Sequence, residues 1–242
     1  MRLCAAQLLP ETGNVGRNVL KHLALIDVAV SRQAGLIFFP ELSLTGYEPM
    51  LAGDLATDAH DRRLDVFQVR ADAGNIVIGV GLPTRSPEGI RITMVLFRPR
   101  GERLVYAKQQ LHSDELPFFV KGDEQLILPI GGHAFAPAIC YESLQPNHAG
   151  AAARNGADIH LASVAKPKRN VTKAYEHYPQ MARQHSMTVL MANAVGPCDD
   201  FVSAGHTAIW NSSGELVASM DDEGEGLIMF DTSIQAGSVV LI

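Results

Sequence analysis

The 242-residue sequence has little cysteine, and its three cysteines form no recognisable pair. Cys4, Cys140 and Cys198 are odd in number, and none of them belongs to a CxxC motif. Disulfide frameworks and structural zinc sites both need grouped cysteines, so the sequence argues against either. A chain without such crosslinks suits a reducing compartment, and we predict a cytoplasmic location.

Long apolar runs and metal-binding motifs are missing as well. No window approaches the roughly 18 apolar residues that a membrane helix needs. The first residues carry one positive charge and soon meet Pro10, which is not typical of a secretory signal peptide. The nine histidines include no HxH or HExxH pair. We therefore predict no membrane partner and no metal or other cofactor.

Basic charge is also scarce. Lysine and arginine number 20 against 26 acidic residues, which gives a net charge of -6. Nucleic acids and anionic membranes both attract a clustered basic surface, so neither is a predicted partner. The one basic cluster, Lys166–Arg169 with Lys173 nearby, is interpreted as a solvated loop. The length and the 47% of hydrophobic residues suit a single domain over residues 1–242.

Short apolar runs alternate with amphipathic stretches along the chain. A continuous apolar run predicts a strand buried on both faces, and apolar residues spaced three or four apart predict a helix. Predicted helices cover 15–33, 58–73, 146–155 and 171–186. Predicted strands cover 2–8, 36–39, 76–82, 92–98, 103–108, 133–139, 159–164, 188–193, 205–210, 215–219 and, last, 226–230. This alternation predicts an α/β layered sandwich.

Three chemically distinctive residues, Glu41, Lys108 and Cys140, each stand at the end of a predicted strand. Taken alone, the first two are most simply read as solvated strand ends and the third as a buried structural cysteine. In a site at the strand ends, the same residues can act as a general base, a cation that stabilises an oxyanion, and a nucleophile. A thiol at a sharp strand-to-helix turn follows the logic of the nucleophile elbow.

Other cysteines and histidines compete for these roles. Cys4 lies within the first predicted strand and is expected in the core. Cys198 precedes two aspartates, and their negative charge disfavours a thiolate. His160 lies on a buried strand, where we interpret it as a core or pocket-wall residue. A Cys140–His160 dyad is the alternative, because cysteine hydrolases often use histidine as the base.

The three segments resemble, in their order and spacing, the signature of the carbon–nitrogen hydrolase (nitrilase) superfamily. Phe39–Glu41 is similar to its F-P-E segment, Lys108–Leu111 to its K-x-H-L segment, and Ile139–Glu142 to its I-C-Y-D/E elbow. Further likeness lies in Gly156–Asp158 and in Gly205–Ile209. The resemblance extends over nearly the whole chain. It departs at Gln110, where the family usually has histidine, and at Thr207, where it has serine.

The resemblance implies a four-layer α-β-β-α sandwich and a Glu-Lys-Cys triad that cleaves a non-peptide carbon–nitrogen bond. Cys140 would attack an amide and form a thioester, Glu41 would transfer protons, and Lys108 would stabilise the negative oxygen. Subunits of the family commonly pair, so a homodimer or a higher homo-oligomer is expected. The implied partner is a small-molecule amide substrate.

Three further residues are candidates for substrate binding by the same resemblance. Glu115 matches the family's second glutamate, which positions substrate and supports the lysine, with Asp114 as its nearest rival. The backbone N–H of Tyr141 would help to stabilise the oxyanion. Glu142 would orient the elbow or line the pocket, and a surface position is its alternative.

Several functions fit the same triad. Aliphatic amides, monoamides of dicarboxylic acids and N-carbamoyl compounds are all open as substrates, and a nitrile is the main chemical alternative. Acyl transfer to an amine or an alcohol would use the same thioester. A catalytically silent binding protein on this fold is the alternative outside enzymes.

Overall fold

The computed structural model describes residues 1–241. The helices are α1 (Val15–Ser31), α2 (Ala52–Leu55), α3 (Asp65–Gly74), α4 (Pro146–Arg154) and α5 (Lys168–His185). The strands are β1 (Arg2–Gln7), β2 (Ala34–Phe38), β3 (Val77–Ser86), β4 (Gly89–Phe97), β5 (Leu104–Ala107), β6 (Leu128–Ile130), β7 (His133–Ile139), β8 (Ile159–Val164), β9 (Thr188–Asn193), β10 (Val195–Cys198), β11 (Phe201–Ala204), β12 (Ala208–Trp210), β13 (Leu216–Ser219), β14 (Gly226–Asp231) and β15 (Ala236–Leu241).

Two large sheets organise the molecule. The first has the order β15-β14-β1-β2-β3-β4-β5, and the second has the order β13-β12-β9-β8-β7-β6. At the centre of each sheet are three parallel strands, β1-β2-β3 and β7-β8-β9, and antiparallel strands extend both sheets outward. The parallel strands need helical crossovers, which α1 and α3 supply in the first sheet and α4 and α5 in the second. A separate hairpin pairs β10 with β11.

Apolar side chains form three packed layers. One cluster lies between the two sheets and contains Phe38 and Leu161. A second joins the first sheet to α1 and α3 through Ile26 and Phe67. A third joins the second sheet to α4 and α5, with Tyr178 fully buried. The order of layers is therefore helices, sheet, sheet, helices, and the predicted α-β-β-α sandwich is confirmed.

The sequence predicted most elements close to their observed bounds, and the misses have local causes. The helix predicted over 58–73 begins only at Asp65, because Asp61 caps a separate short turn by accepting a hydrogen bond from the Arg63 N–H. The strand predicted over 205–210 begins at Ala208. Both residues at its expected start, Gly205 and His206, have positive φ angles of 60° and 54°, which extended backbone does not adopt.

Three strand pairings were absent from the predictions, and one of them joins the short strand β6 to β7 in the second sheet. The hairpin of β10 and β11 has Pro197 and Gly196 in its first strand, and these residues normally indicate a turn. The strand β15 follows the one predicted as last, and pairs with β14 at the edge of the first sheet. Its side chains are mostly exposed, so it lacks the alternating apolar pattern that identifies a strand. Within residues 1–241, no helix has the length and apolarity that crossing a membrane requires.

Candidate active site

Cys140 occupies a sharp turn directly after β7. Its φ angle is +46°, in the left-handed region that non-glycine residues seldom adopt. The Cys140 N–H donates to the Ser163 carbonyl at 2.9 Å, and the Ser143 hydroxyl donates to the Cys140 carbonyl at 2.6 Å. Backbone held in such a conformation costs on the order of 1–3 kcal/mol, so these bonds are needed to maintain it. The half-buried thiol is thus presented at the strand end, as the elbow motif predicts.

Glu142 stabilises the turn at Cys140 through hydrogen bonds. It is fully buried, and its Oε1 accepts hydrogen bonds from the Ile139 N–H and the Tyr106 hydroxyl, both at 2.7 Å. Its Oε2 accepts from the N–H groups of Gln109 and Gln110 at 2.7 and 3.1 Å. The surface position considered for Glu142 is therefore wrong. Both of its oxygens bind protein donors, so this carboxylate orients the elbow and the segment after Lys108, and it has no oxygen left for a substrate.

Lys108 lies between two buried carboxylates. Its Nζ donates to Glu41 Oε1 at 2.8 Å and to Glu115 Oε1 at 2.5 Å, and all three side chains are withdrawn from solvent. Glu115 is held in turn by the Tyr47 hydroxyl at 3.0 Å and by the His112 N–H at 2.7 Å. The structure therefore brings together the glutamates and the lysine that the sequence singled out.

Asp114, the rival of Glu115, lies outside this cluster. Its side chain is exposed and contacts only the His112 ring among the residues described. Glu115, one residue later, begins a turn. Its carbonyl oxygen accepts hydrogen bonds from the N–H groups of Phe118 and Phe119. This turn directs the Glu115 carboxylate inward.

Burial shifts the pKa values of these groups. Loss of solvent raises the pKa of Glu41 to about 7, with a further rise from the Glu115 charge, while Lys108 and the Cys140 side chain act in the opposite direction. Burial alone would lower the pKa of Lys108, but the two carboxylates outweigh it and raise that pKa. Burial and the Glu41 charge raise the pKa of the Cys140 thiol to about 11. At neutral pH, Cys140 is therefore a protonated thiol, and it lies beside the Glu41 carboxyl group, whose pKa is about 7.

One oxygen of Glu41 is free to accept a proton. Glu41 Oε2 is buried and has no hydrogen-bond partner among residues 1–241. The Cys140 side chain is close enough to lower the pKa of Glu41, although its Sγ is placed to donate to the Ala165 carbonyl at 3.6 Å. A buried carboxylate oxygen without a hydrogen-bond donor destabilises the folded protein, so this oxygen is ready to take up a proton.

The site lies at the seam between the two sheets. The Ser163 hydroxyl of β8 donates to the Phe39 carbonyl, just before Glu41, at 2.8 Å. On the other side of this loop, β3 passes so closely that a Cβ at Gly81 would lie 2.6 Å from both the Pro40 oxygen and the Leu42 nitrogen. A side chain at position 81 would therefore displace the loop that carries Glu41.

Lys166 is a second buried cation at the site, and its assignment to a solvated loop is wrong. It is 2% exposed, whereas Lys168 and Arg169 are exposed as predicted. Its Nζ lies 3.3 Å from the Cys140 carbonyl oxygen and 3.8 Å from Cys140 Sγ. The sequence carried a signal for this position, because Lys166 comes two residues after the fully buried strand β8, at the same edge of the sheet as Cys140.

The backbone N–H of Tyr141 is unpaired in residues 1–241. Its N–H, next to the thiol, has no acceptor within the described part of the chain. Its side chain is 37% exposed and contacts the His112 ring edge-on. A free N–H at this place is available to a developing oxyanion.

The competing residues Cys4, Cys198 and His160 form no hydrogen bond with Glu41, Lys108 or Cys140 in residues 1–241. Cys4 and Cys198 are buried, and burial raises their pKa values to about 12 and about 11. His160 contacts the His148 ring, and burial lowers its pKa to about 3. Neither of its ring nitrogens has a partner in residues 1–241, so the Cys140–His160 hydrogen bond of the alternative dyad is not formed. No group of three potential metal ligands occurs in the same residues.

Comparisons with known proteins agree on one family. The model of the carbon-nitrogen hydrolase family matches residues 2–238. A mutant of the amidase from Nesterenkonia sp. AN1 in complex with butyramide superposes with a TM-score of 0.88 at 25% identity, over 97% of this chain and 92% of that one. The glutamine-dependent NAD(+) synthetase of Acinetobacter baylyi is 28% identical over 89% of this chain and 41% of its own length. The chain thus spans about two-fifths of the length of the synthetases it matches.

Proposed function

Because the chain belongs to the carbon–nitrogen hydrolase family, we propose that it hydrolyses the primary amide of a small molecule, with Cys140 as nucleophile. The observation that carries the proposal is the arrangement around the thiol. Cys140 is presented at φ +46° beside a carboxyl group with one unpaired oxygen. A structural cysteine needs neither feature. Related amidase structures with a covalent adduct at the active-site cysteine support the same role.

The first half of the reaction uses all three residues of the triad. Glu41 Oε2 accepts the thiol proton, and the sulfur of Cys140 attacks the amide carbonyl carbon. The carbonyl oxygen becomes negative between the Lys108 ammonium and the Tyr141 N–H, and one such donor contributes roughly 3–4 kcal/mol to transition-state stabilisation. Glu41 then gives its proton to the leaving nitrogen, ammonia departs, and a thioester remains.

The second half reverses the proton transfers. Glu41, again a carboxylate, takes a proton from a water molecule that attacks the thioester carbonyl. The same oxyanion donors stabilise the second tetrahedral intermediate, and the thiol leaves with the proton from Glu41. Glu115 keeps Lys108 aligned through both halves, because its Oε1 accepts a hydrogen bond from the ammonium at 2.5 Å.

A small aliphatic amide is the substrate class that we favour. An apolar ring lies next to the polar cluster. Phe201 packs against Tyr47, which donates to Glu115, with 5.7 Å between the two ring centroids. An apolar side chain beside a polar site favours an alkyl acyl group. The butyramide bound by the related amidase is of this class.

The side-chain amide of glutamine is the second candidate. It is favoured by the glutamine-dependent synthetases, whose likeness covers about nine-tenths of this chain. Glutamine also carries a charged α-amino acid group, so its recognition would need polar side chains at the entrance. The two candidates differ in the acyl group and share the chemistry of the triad.

Ammonia release from a panel of substrates tests the proposal. The panel comprises butyramide, glutamine, a dicarboxylic monoamide, an N-carbamoyl amine and butyronitrile. We expect the fastest release from butyramide, together with a butyryl adduct on the peptide that contains Cys140 in quenched reactions. The Cys198→Ala protein is the matched control and should behave like the wild type. Release without any adduct on Cys140 would contradict the proposed nucleophile.

The pH dependence of the reaction reports the base. Glu41 must be a carboxylate to accept the thiol proton, so kcat/KM should fall as the pH drops below its pKa of about 7. The negative charge of Glu115 raises the pKa of Glu41. Glu115→Gln removes this charge, so the acid limb of this variant should move to lower pH. The His160→Gln protein should keep the wild-type profile. An acid limb that moves in His160→Gln and stays in Glu115→Gln would assign the base to histidine.

A further inference from the structure

Lys166 presents a second ammonium to the reacting sulfur. Its Nζ lies 3.8 Å from Cys140 Sγ, and its nearest oxygen is the Cys140 carbonyl at 3.3 Å. The backbone of Lys166 is fixed by Asn193, which accepts from the Lys166 N–H at 2.8 Å and donates to the Lys166 carbonyl at 3.2 Å. The Asn193 N–H donates to the Thr207 hydroxyl, so this network also anchors the loop in the second sheet.

This ammonium has no carboxylate of its own. Within residues 1–241, no acidic oxygen lies within 4.0 Å of Lys166 Nζ, whereas Lys108 has two. Burial of a cation without an ion-pair partner generally costs several kcal/mol. The burial of Lys166 is accounted for by a negative charge that forms beside its ammonium during the reaction. Lys166 Nζ has two hydrogen-bond partners in residues 1–241, the carbonyl oxygen and the sulfur of Cys140, and of these the sulfur can become an anion.

The charges around the thiol make this cation necessary. When Glu41 holds the thiol proton it is neutral, and the charges of Glu115 and Lys108 offset each other, so these three groups leave the thiolate charge uncompensated. From α5, the neighbouring groups are His177, whose pKa is lowered by burial and then by Lys166, and Tyr178, whose hydroxyl pairs with Ser143. Neither supplies a positive charge at neutral pH. The positive charge of Lys166 therefore offsets the negative charge of the Cys140 thiolate.

We propose that Lys166 is a further catalytic residue, whose ammonium stabilises the Cys140 thiolate while Glu41 holds the thiol proton. In this step the S–H bond breaks, its electron pair stays on sulfur, and the proton forms an O–H bond with Glu41. The inference rests on the proposed role of Cys140 as nucleophile. It gives the two lysines separate duties, since Lys108 faces the carboxylates and the oxyanion, and Lys166 faces the sulfur.

Alkylation of Cys140 by iodoacetamide at a series of pH values tests the role without any substrate. Lys166→Met removes the charge and the donor, Lys166→Gln keeps a donor, and Lys166→Arg keeps the charge. We expect the apparent pKa of the reactive thiol to rise by about one unit in the Met and Gln proteins, with alkylation about tenfold slower at neutral pH. Lys166→Arg should recover much of the rate, and the exposed control Lys168→Met should match the wild type.

Two results would overturn the inference. An unchanged pH profile in a folded Lys166→Met protein would show that the sulfur does not use this charge. A wild-type profile in Lys166→Gln would assign the residue a structural hydrogen bond to the Cys140 carbonyl. Thermal unfolding of each variant establishes that it is folded. Wild-type Cys140 that resists iodoacetamide altogether would instead count against the proposed nucleophile itself, and the two failures are therefore distinct.

Discussion

Replacement of Cys140 by alanine is expected to lower amide hydrolysis by about 10⁴-fold or more, the scale on which loss of a covalent nucleophile acts. No other group can take over the attack. The nearest hydroxyl, Ser143, is committed to the Cys140 carbonyl and to Tyr178, both at 2.6 Å. Ammonia release by Cys140→Ala, measured beside the wild type on the most active substrate of the panel, checks this expectation.

The fold should survive the same replacement. Alanine adopts a φ of +46° no more easily than cysteine does, so the strain of the elbow is unchanged, and the bonds of Glu142 to the elbow involve no sulfur. Cys140→Gly should be slightly more stable than Cys140→Ala, by roughly 1 kcal/mol, because glycine accepts the left-handed region freely. Urea unfolding of the two variants gives the difference. Substantial activity in either one would remove Cys140 from the mechanism.

Replacement of Lys108 by methionine is the second change with a large expected effect, on stability as well as on rate. Methionine fills a similar volume but leaves Glu41 and Glu115 buried without a cation. Removal of one partner from a buried ion pair typically costs about 3–5 kcal/mol, and we expect a loss of this size in the free energy of unfolding at neutral pH. Hydrolysis should fall by about 10²–10³-fold, because an oxyanion donor is lost.

A second substitution separates the two effects of Lys108→Met. Glu115→Gln in the same chain removes one of the stranded carboxylates, so the double variant should recover part of the lost stability and none of the lost activity. Lys121→Met, which changes an exposed lysine, is the control. Urea unfolding and ammonia release on the four proteins complete the test. Wild-type stability in Lys108→Met would contradict the ion-pair description of the cluster.

The family and the overall fold followed from the sequence, and both predictions are confirmed. The chemistry-bearing residues stand directly after continuous apolar runs, and such runs identify buried strands without a structure. The position of Glu41 after Phe38 and of Cys140 after Ile139 therefore placed both at strand ends. The homodimer, the cytoplasmic location and the roles of the individual residues stay predictions.

The roles of Glu142 and Lys166 could not be read from the sequence. Both are charged residues in polar surroundings, and such residues are usually exposed. Glu142 is buried because four donors, two of them from the distant segment after Lys108, converge on its oxygens. Lys166 is buried because Asn193, from the next strand, turns its loop inward. The partners Tyr106, Gln109, Gln110 and Asn193 are distant in sequence. The local pattern therefore indicates at most a strand-end position for Lys166, and it does not reveal these hydrogen bonds.

The division of the site between the sheets makes catalysis a reporter of tertiary assembly. The first sheet carries Glu41 and Lys108, the second carries Cys140, and the Ser163–Phe39 hydrogen bond lies across the gap. A partly folded chain in which only one sheet has formed lacks at least one residue of the proposed triad. Recovery of turnover during refolding from urea should therefore follow the docking of the sheets and lag behind the return of secondary structure.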